Sequence, residues 1–364
     1  MQRQIKETDS LRVGLYLGRP RDSPSNITKV LKAWDSYLDP FDTEVFGSAE
    51  LPDTATNTFD RVPIEAPAYP TPFGKIAAIY HETKKYVKRR DPDILVQFWK
   101  YNTHASGVAL ASAKTGTPFV ARLSSDAFNE YQQCSPPASV GVMLLNNMLG
   151  RIPLSVADTV ITLGPYGKEQ ACNRGADPDT VRILPPPAST EDRFAPTDDP
   201  SRVRLQLELP QNEKVALYVG RLTSEKGMDF LRKVANRASE YTFVLLGEGP
   251  YQGFPQNVRT PGYVPHEEIH RYYQAADVYV HPSPLEGIPL VIIEALNCEL
   301  PVVAREAGDI GFVTDNIVES PEQMATVLQS DSISTSWQNR DLFDPEVQAH
   351  ILREIVREAA TTGK

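Results

Sequence analysis

The sequence predicts an α/β protein made of two doubly wound domains. Its 364 residues are too many for one small core and fit two domains of about 150 residues each. Short β-branched and apolar runs alternate with helix-period segments along nearly the whole chain, the pattern of parallel sheets covered by helices. The alternation stops between Pro185 and Gln211, where PPPASTEDRFAPTDDP mixes prolines with acidic residues that build no core. The boundary belongs there, giving a first domain over residues 1–190 and a second over 191–340.

The first series opens with a strand, LRVGLYLG, from Leu11 to Gly18, and a helix near Asn26 to Leu38. After a proline-rich loop at residues 63–73 comes a helix with Ile76, Ile79, Tyr80, Thr83 and Val87 on one face. Strands follow at Asp93–Trp99, Pro118–Ser124, Asp158–Gly164 and Val181–Leu184. The run VGVMLLNNML, Val140 to Leu149, is interrupted by two asparagines and is about half the length of a bilayer span, so it is expected as a buried helix.

The second series runs strand VALYVG (215–220), helix from Met228 to about Ala238, strand TFVLLG (242–247), helix PHEEIHRYYQAA, strand DVYVHPS, helix PLVIIEALNC and strand PVVAR. Pro265 and Pro289 stand where a first helical turn begins, a position whose missing N–H costs nothing. The segment from Pro345 to Ala360 has helical periodicity. Ligands of doubly wound domains bind at the carboxyl ends of the strands, so the site is sought in the loops that follow them, in a crevice between the two domains.

Composition narrows the function. A net charge of -10 has the wrong sign for neutralising a nucleic-acid backbone. Cys134, Cys172 and Cys298 lack the spacing of a zinc site or disulfide framework and read as reduced thiols in the cytoplasm. MQRQIKETDS has no secretion-signal core, and no run approaches the 18 or so apolar residues of a membrane span. A soluble cytoplasmic enzyme is expected.

Two loops carry chemistry. The first, after VALYVG, reads Gly220, Arg221, Leu222, Thr223, Ser224, Glu225, Lys226, Gly227, ahead of a helix. Orphan amides, the helix dipole and two cations there would converge on a phosphate; alternatively Arg221 and Lys226 are exposed charges paired with Glu225. The second, after DVYVHPS, reads Pro284, Leu285, Glu286, Gly287, Ile288, Pro289, then LVIIEALNC. Glu286 precedes a helix whose free amides at Gly287, Ile288 and Leu290 would bind polar groups. Glu294, the one charge in an otherwise apolar helix, needs donors such as sugar hydroxyls if buried, or else shares a solvent edge with Asn297.

GRLTSEKG followed by PLEGIPLVIIEAL and PVVA resembles the family 4 (group 1) glycosyltransferases of the GT-B fold, which has two Rossmann-like domains facing across a cleft. The likeness is strong over roughly residues 211–305; SVADTVITLGPYGKEQACNRGADPDTVRILPPP resembles the end of the family's first domain. The resemblance implies that Gly220 lies against the donor, that Arg221 and Lys226 hold its diphosphate, and that Glu286 contacts the transferred sugar and Glu294 the ribose. It also places Gly287, Ile288, Pro289 and Leu290 along the sugar and phosphates, and Gly262, Tyr263 and Val264 near the base. The last helix, about 345–364, resembles the one that returns to pack on the first domain. The implied reaction is sugar transfer from a nucleotide diphosphate sugar to an acceptor, lipid-linked or polysaccharide, with retained configuration. Arg221 and Lys226 would stabilise the leaving diphosphate, so no metal or other cofactor is required. The triplets Asp91–Asp93 and Asp177–Asp179 precede strands and read as turns rather than a metal motif.

The first domain departs from the family. Where many members carry a histidine, this chain has Arg122, Ser124, Ser125 and Asp126 after PFVARLS; His104, in KYNTHASG, is the nearest histidine, a catalytic candidate or else an ordinary helix residue. The first loop carries Arg19 and Arg21 instead of paired glycines, and AREAGDIGF only loosely resembles a glycine-rich loop. Lys84, Lys85, Lys88, Arg89 and Arg90 end a helix; they form a solvated end complementing its dipole or a peripheral contact with an anionic membrane. Two further readings are a sugar-nucleotide epimerase and a catalytically silent nucleotide-sugar-binding subunit.

Overall fold

Parallel strands form the centre of both halves. The computed structural model describes residues 11–18, 24–47, 59–64, 71–98, 101–133, 138–188, 193–330 and 332–362. The chain divides into two compact units, Met1–Pro187 with Asp341–Lys364, and Ala188–Arg340.

The first unit contains β1 (Arg12–Tyr16), α1 (Pro24–Leu38), β2 (Asp42–Gly47), β3 (Asp60–Pro63), α2 (Pro72–Arg90) and β4 (Ile94–Gln97). A π-helical turn, Tyr101–Ala105, then leads into α3 (Ser106–Thr115), followed by β5 (Phe119–Leu123), α4 (Ala138–Leu149), α5 (Arg151–Val156), β6 (Thr159–Thr162), α6 (Pro165–Cys172) and β7 (Val181–Ile183). The strands lie in the order β3-β2-β1-β4-β5-β6-β7, every pair parallel.

The second unit runs α7 (Pro200–Gln206), β8 (Lys214–Val219), α8 (Met228–Arg237), β9 (Tyr241–Leu246), β10 (Val258–Gly262), α9 (His266–Ala275), β11 (Val278–His281), α10 (Leu290–Asn297), β12 (Val302–Arg305), β13 (Ile317–Val318) and α11 (Pro321–Leu328). Its sheet order is β10-β9-β8-β11-β12-β13, again all parallel. Both sheets are doubly wound: the order reverses beside the first strand of each unit, between β1 and β4 and between β8 and β11. The last helix, α12 (Pro345–Thr362), belongs to the first unit, where Gln348 donates to the carbonyls of Pro185 and Pro186 and Arg353 to that of Tyr37.

Sequence chemistry explains these elements. All six β9 residues and all four of β4 are buried, as expected of strands covered on both faces. On α8, Met228, Phe230, Leu231, Val234 and Ala235 turn inward, one stripe of helical period. Thr71 caps α2 through the Gly74 amide, and Ser320 closes a capping box on α11.

Several expectations need correction. Strands β2, β3, β10 and β13 do not stand out in the sequence. β2 carries a buried glutamate, Glu44, β3 and β10 are largely exposed and contain a proline, and β13 has two residues; β3, β10 and β13 are edge strands, where apolar patterning is weak. The strand expected at Asp93–Trp99 covers only Ile94–Gln97, and Trp99 lies outside the described residues, as do Arg19, Arg21 and Cys134. Pro265 and Pro289 are the residues capping α9 and α10 rather than their first helical residues. The segment Val140–Leu149 is helical but not buried: Val140, Leu144 and Met148 are largely exposed, a stripe four residues apart. Its polar Asn146 is the buried side, donating to the Ala127 carbonyl. Among the described residues no helix is long and apolar enough to cross a membrane.

Candidate functional site

The strand order of the second unit reverses between β8 and β11, and the two chemistry-bearing loops follow these strands. Backbone contacts that only glycine permits press them together. Gly227 has φ +80°, and a Cβ there would lie 2.1 Å from the Pro282 carbonyl oxygen. Gly308, after β12, has φ +52°, and its Cβ would meet the Glu286 carbonyl oxygen at 2.1 Å. The Asp309 amide adds a 3.2 Å hydrogen bond to the Gly287 carbonyl. Left-handed backbone and close approach together require residues without side chains, so AREAGDIGF acts here as a glycine-dependent wall.

This packing brings Lys226 onto Glu286. The ammonium Nζ donates to Glu286 Oε1 at 2.6 Å, so Lys226 pairs with Glu286 and not with its neighbour Glu225. His281, the last residue of β11, approaches the same carboxylate oxygen from beneath, Nε2 at 3.5 Å from Oε1. Burial opposes ionisation of Glu286, but His281, by hydrogen bonding and charge, and then Lys226 outweigh it and hold its carboxyl down at about 2. Arg221 is exposed, and its carbonyl accepts from the Tyr218 hydroxyl at 3.0 Å. Gly220 donates to the Leu246 carbonyl as the chain leaves β8. A half-buried ammonium and an exposed guanidinium at one strand end suit an anionic group, with a fixed carboxylate alongside to accept hydroxyls.

Gly287, Ile288 and Pro289 lead into α10, and Leu290 is its first residue, so the opening amides face away from the helix's own carbonyls. Glu294, four residues on, is 2% exposed, which overturns the solvent-edge alternative. Protein groups supply donors that the sequence left unnamed: the Tyr273 hydroxyl to Oε2 at 3.2 Å and His266 Nε2 on Oε1 at 3.1 Å. Gly262 ends β10 at φ +90° and bonds the Gly247 amide; Tyr263 is 71% exposed and Val264 half-buried.

In the first unit, His104 lies on the π-helical turn and is buried. Its imidazole sits beneath Gly18, whose φ is +79° and whose Cβ would meet the ring at 2.2 Å, and packs edge-on against Tyr16 at 5.8 Å. It therefore occupies that sheet's own reversal point. Arg122 does not reach outward: it is 4% exposed, its guanidinium over the rings of Trp34 and Phe98 and bonded to the Phe98 carbonyl, and burial lowers its pKa to about 10. Asp126 is buried and receives the Tyr166 hydroxyl at 2.8 Å and the Asn129 amide; Ser124 is half-buried. The aspartate triplets are turns: Asp91 caps α2 at φ 47°, Asp93 accepts from the Arg12 amide, and Asp177 caps a short turn through Asp179. Of the basic cluster, Arg90 is committed to buried Glu44 and Lys84 lies 5.1 Å over the Tyr80 ring, while Lys85, Lys88 and Arg89 are exposed.

Sequence reading did not single out His281, His266 or Tyr273. His281 stands in DVYVHPS two residues after Tyr279, where a charge-capable side chain in an otherwise apolar strand is the only available signal.

Comparison with known proteins places these residues among relatives. The D-inositol 3-phosphate glycosyltransferase of Acidothermus cellulolyticus is 30% identical over 208 residues, 51% of this chain and 45% of that protein. The chain spans less than half the length of the curated relatives it matches. The sucrose-phosphate synthase of Thermosynechococcus elongatus superposes with a TM-score of 0.68 over 96% of this chain and 94% of that one, at 21% identity. HepE of Anabaena, solved with UDP and glucose, gives 0.66 over 97% and 94%, at 17% identity. The fold is thus the expected one, two parallel-sheet α/β units of the GT-B class. Residues 201–316, the segment that holds Arg221, Lys226, Glu286 and Glu294, match the family of glycosyl transferases group 1.

Proposed function

We propose that this chain is a retaining, metal-independent glycosyltransferase of family 4 that moves a sugar from a nucleotide diphosphate sugar to an acceptor. The observation that carries the reading is the pairing of Lys226 with Glu286 at the reversal point of the second sheet, inside the segment that matches group 1 glycosyl transferases. Such a transfer builds positive charge on the sugar ring and negative charge on the leaving diphosphate. Lys226 and Arg221 are placed to stabilise the leaving group, and Glu286 to hold the sugar. Glu294 takes the ribose, held by Tyr273 and His266; Gly220, Gly262, Tyr263, Val264 and the stretch Gly287–Leu290 complete the donor side. His104 is the first unit's candidate contact to the reacting sugar. UDP, held by HepE, is the first nucleotide to test.

The acceptor is met at an anionic membrane surface, on the cytoplasmic side, in the same reading. A groove of about 560 Å³ between α2 and α3 is lined by Phe73, Ile76, Ala77, Tyr80, Leu110 and Lys114. Phe73, Ala77, Tyr80, Lys84 and Lys88 follow one another along a single stripe of α2, so an apolar strip runs into ammonium groups, the complement of lipid chains below anionic headgroups. Flotation with phosphatidylcholine vesicles, with and without phosphatidylglycerol, tests it. Binding only with phosphatidylglycerol, lost in the Lys84→Glu, Lys88→Glu double variant, is expected; equal recovery with both lipids rejects the membrane contact.

For the reaction, UDP-, GDP- and ADP-sugars are offered with lipid-phosphate and soluble acceptors in EDTA, and products are read by mass spectrometry and by the anomeric coupling constant. Glycosylated acceptor with the donor's configuration is expected. Activity lost in EDTA and restored by magnesium or manganese rejects metal independence. An isomeric nucleotide sugar identifies an epimerase, and donor binding without product a silent binding subunit.

A further inference from the structure

The stretch between Pro185 and Gln211, too polar and proline-rich in sequence to build a core, nevertheless buries one aromatic side chain. Phe194 is 4% exposed. The Gln274 side-chain amide, on α9, seats it by donating to the carbonyls of Ala195 at 2.9 Å and Arg193 at 3.5 Å, one on each side of the ring's own residue. The ring lies along α9, its centroid 5.2 Å from that of His266, 6.4 Å from His270 and 6.0 Å from Tyr273. His266 and Tyr273 both bond the Glu294 carboxylate. The Tyr273 bond is the sensitive one. A phenol has one proton, and this hydroxyl stands between two acceptors, the Val291 carbonyl at 3.1 Å and Glu294 Oε2 at 3.2 Å. Both separations exceed the ordinary O–H···O distance of about 2.7–2.8 Å, so the ring's position decides which acceptor gains. Burial keeps the phenol protonated, and so a donor.

Two rings fix where Tyr273 stands: Tyr279 of β11 at 5.9 Å and Phe194 at 6.0 Å. Tyr279 belongs to the sheet, whereas Phe194 comes from a turn with no strand or helix of its own. We propose that Phe194 is a positioning residue for the donor site: through His266 and Tyr273 it orients the Glu294 carboxylate, and so sets how strongly the protein prefers a ribonucleotide to the same nucleotide without its ribose hydroxyls. The inference rests on the reading above in which Glu294 takes the ribose. Its signature is selective. Hydrogen bonds to a carboxylate need good geometry, so a misdirected Glu294 loses the ribose hydroxyls while the diphosphate contacts of Arg221 and Lys226 are kept. A purely structural defect would weaken every nucleotide alike.

Calorimetry with the tightest binder among UDP, GDP and ADP, and with the 2′,3′-dideoxy form of that nucleotide, tests this. Wild type is expected to bind the ribonucleotide about tenfold or more tightly than the dideoxy form. In Phe194→Leu that preference falls to about twofold or less, while affinity for the dideoxy form stays within about twofold of wild type. Tyr273→Phe, which keeps the ring and removes the hydroxyl, shows the same selective loss. If Phe194→Leu does not fold, Gln274→Glu takes its place with the same expectation, since it sets a carboxylate against the two carbonyls that seat Phe194. Equal weakening of both nucleotides, or a preference kept in the Phe194 or Gln274 variant or in Tyr273→Phe, overturns the proposal and leaves the donor reading intact. A wild type without preference for the ribonucleotide overturns the ribose assignment of Glu294 and the proposal with it. Absence of binding by any of the three nucleotides overturns the donor reading as a whole.

Discussion

The two units share a strand order and differ in what they place at its reversal point. Between β8 and β11 the second unit puts an ion pair, Lys226 on Glu286 with His281 beneath it, locked by glycines whose backbones touch neighbouring loops. Between β1 and β4 the first unit puts His104 under Gly18, against the Tyr16 ring, with Arg122 withdrawn onto Trp34 and Phe98. One reversal point is built around paired charge and the other around a covered imidazole. The difference teaches that the architecture supplies a location, while the loops after the strands decide which chemistry is housed there.

The comparison can be broken at its strongest contrast. Glu286→Gln keeps the side chain's shape and removes its charge; turnover is expected to fall about 10²–10³-fold, with nucleoside diphosphate affinity changed only a few-fold. Equal losses in turnover and affinity would show that Glu286 serves only to hold Lys226. The same carboxylate sets an acid limit on stability. Its pKa in the folded protein lies below the unfolded value, about 2 against 4.5, so its stabilisation is complete above pH 4.5 and is lost as pH falls toward 2. Wild type should lose roughly 3 kcal/mol more than Glu286→Gln between pH 7 and pH 2 in denaturant unfolding; parallel losses would dismiss the pair's contribution.

The glycine wall sharpens the contrast at smaller cost. Gly227→Ala forces a Cβ toward the Pro282 carbonyl from a left-handed backbone, and is expected to destabilise the second unit by about 2 kcal/mol while weakening nucleoside diphosphate binding, both read in one thermal-shift titration. Unchanged melting would mean that the loops yield freely. The smallest effect is expected in the first unit, where His104→Gln should reduce turnover about tenfold at unaltered nucleoside diphosphate affinity. A variant with full turnover would assign His104 to packing alone.

Much of this was legible from residue order. Alternating apolar runs and helix-period segments gave both parallel sheets, because strands buried on two faces must be largely apolar, as in Tyr241–Leu246, where Thr242 is the one polar residue. Edge strands such as Asp60–Pro63 and Val258–Gly262 escaped, since half their surface faces water and no apolar code is required. The exposed stripe Val140, Leu144 and Met148 escaped for the opposite reason: apolar composition reports affinity for a nonpolar surface without saying whether the chain itself provides one.

At the site, the residues Arg221, Lys226, Glu286 and Glu294 stand out by type and spacing, but their partners do not. Sixty positions separate Lys226 from Glu286, and Tyr273, His266 and His281 reach their carboxylates only once strands and helices are stacked. The sequence by itself determined the repeated strand–helix order, the glycine and charge content of two loops, and the helix that begins at Leu290, because these depend on local propensity and short-range periodicity. Tertiary structure alone decided that Lys226 would pair with Glu286 and not with adjacent Glu225, that Glu294 would be buried against Tyr273 and His266, and that His281 would come up beneath Glu286. Such pairings are set by distances between segments remote in the chain, and Coulomb and hydrogen-bond energies depend on those distances and on how much water has been excluded.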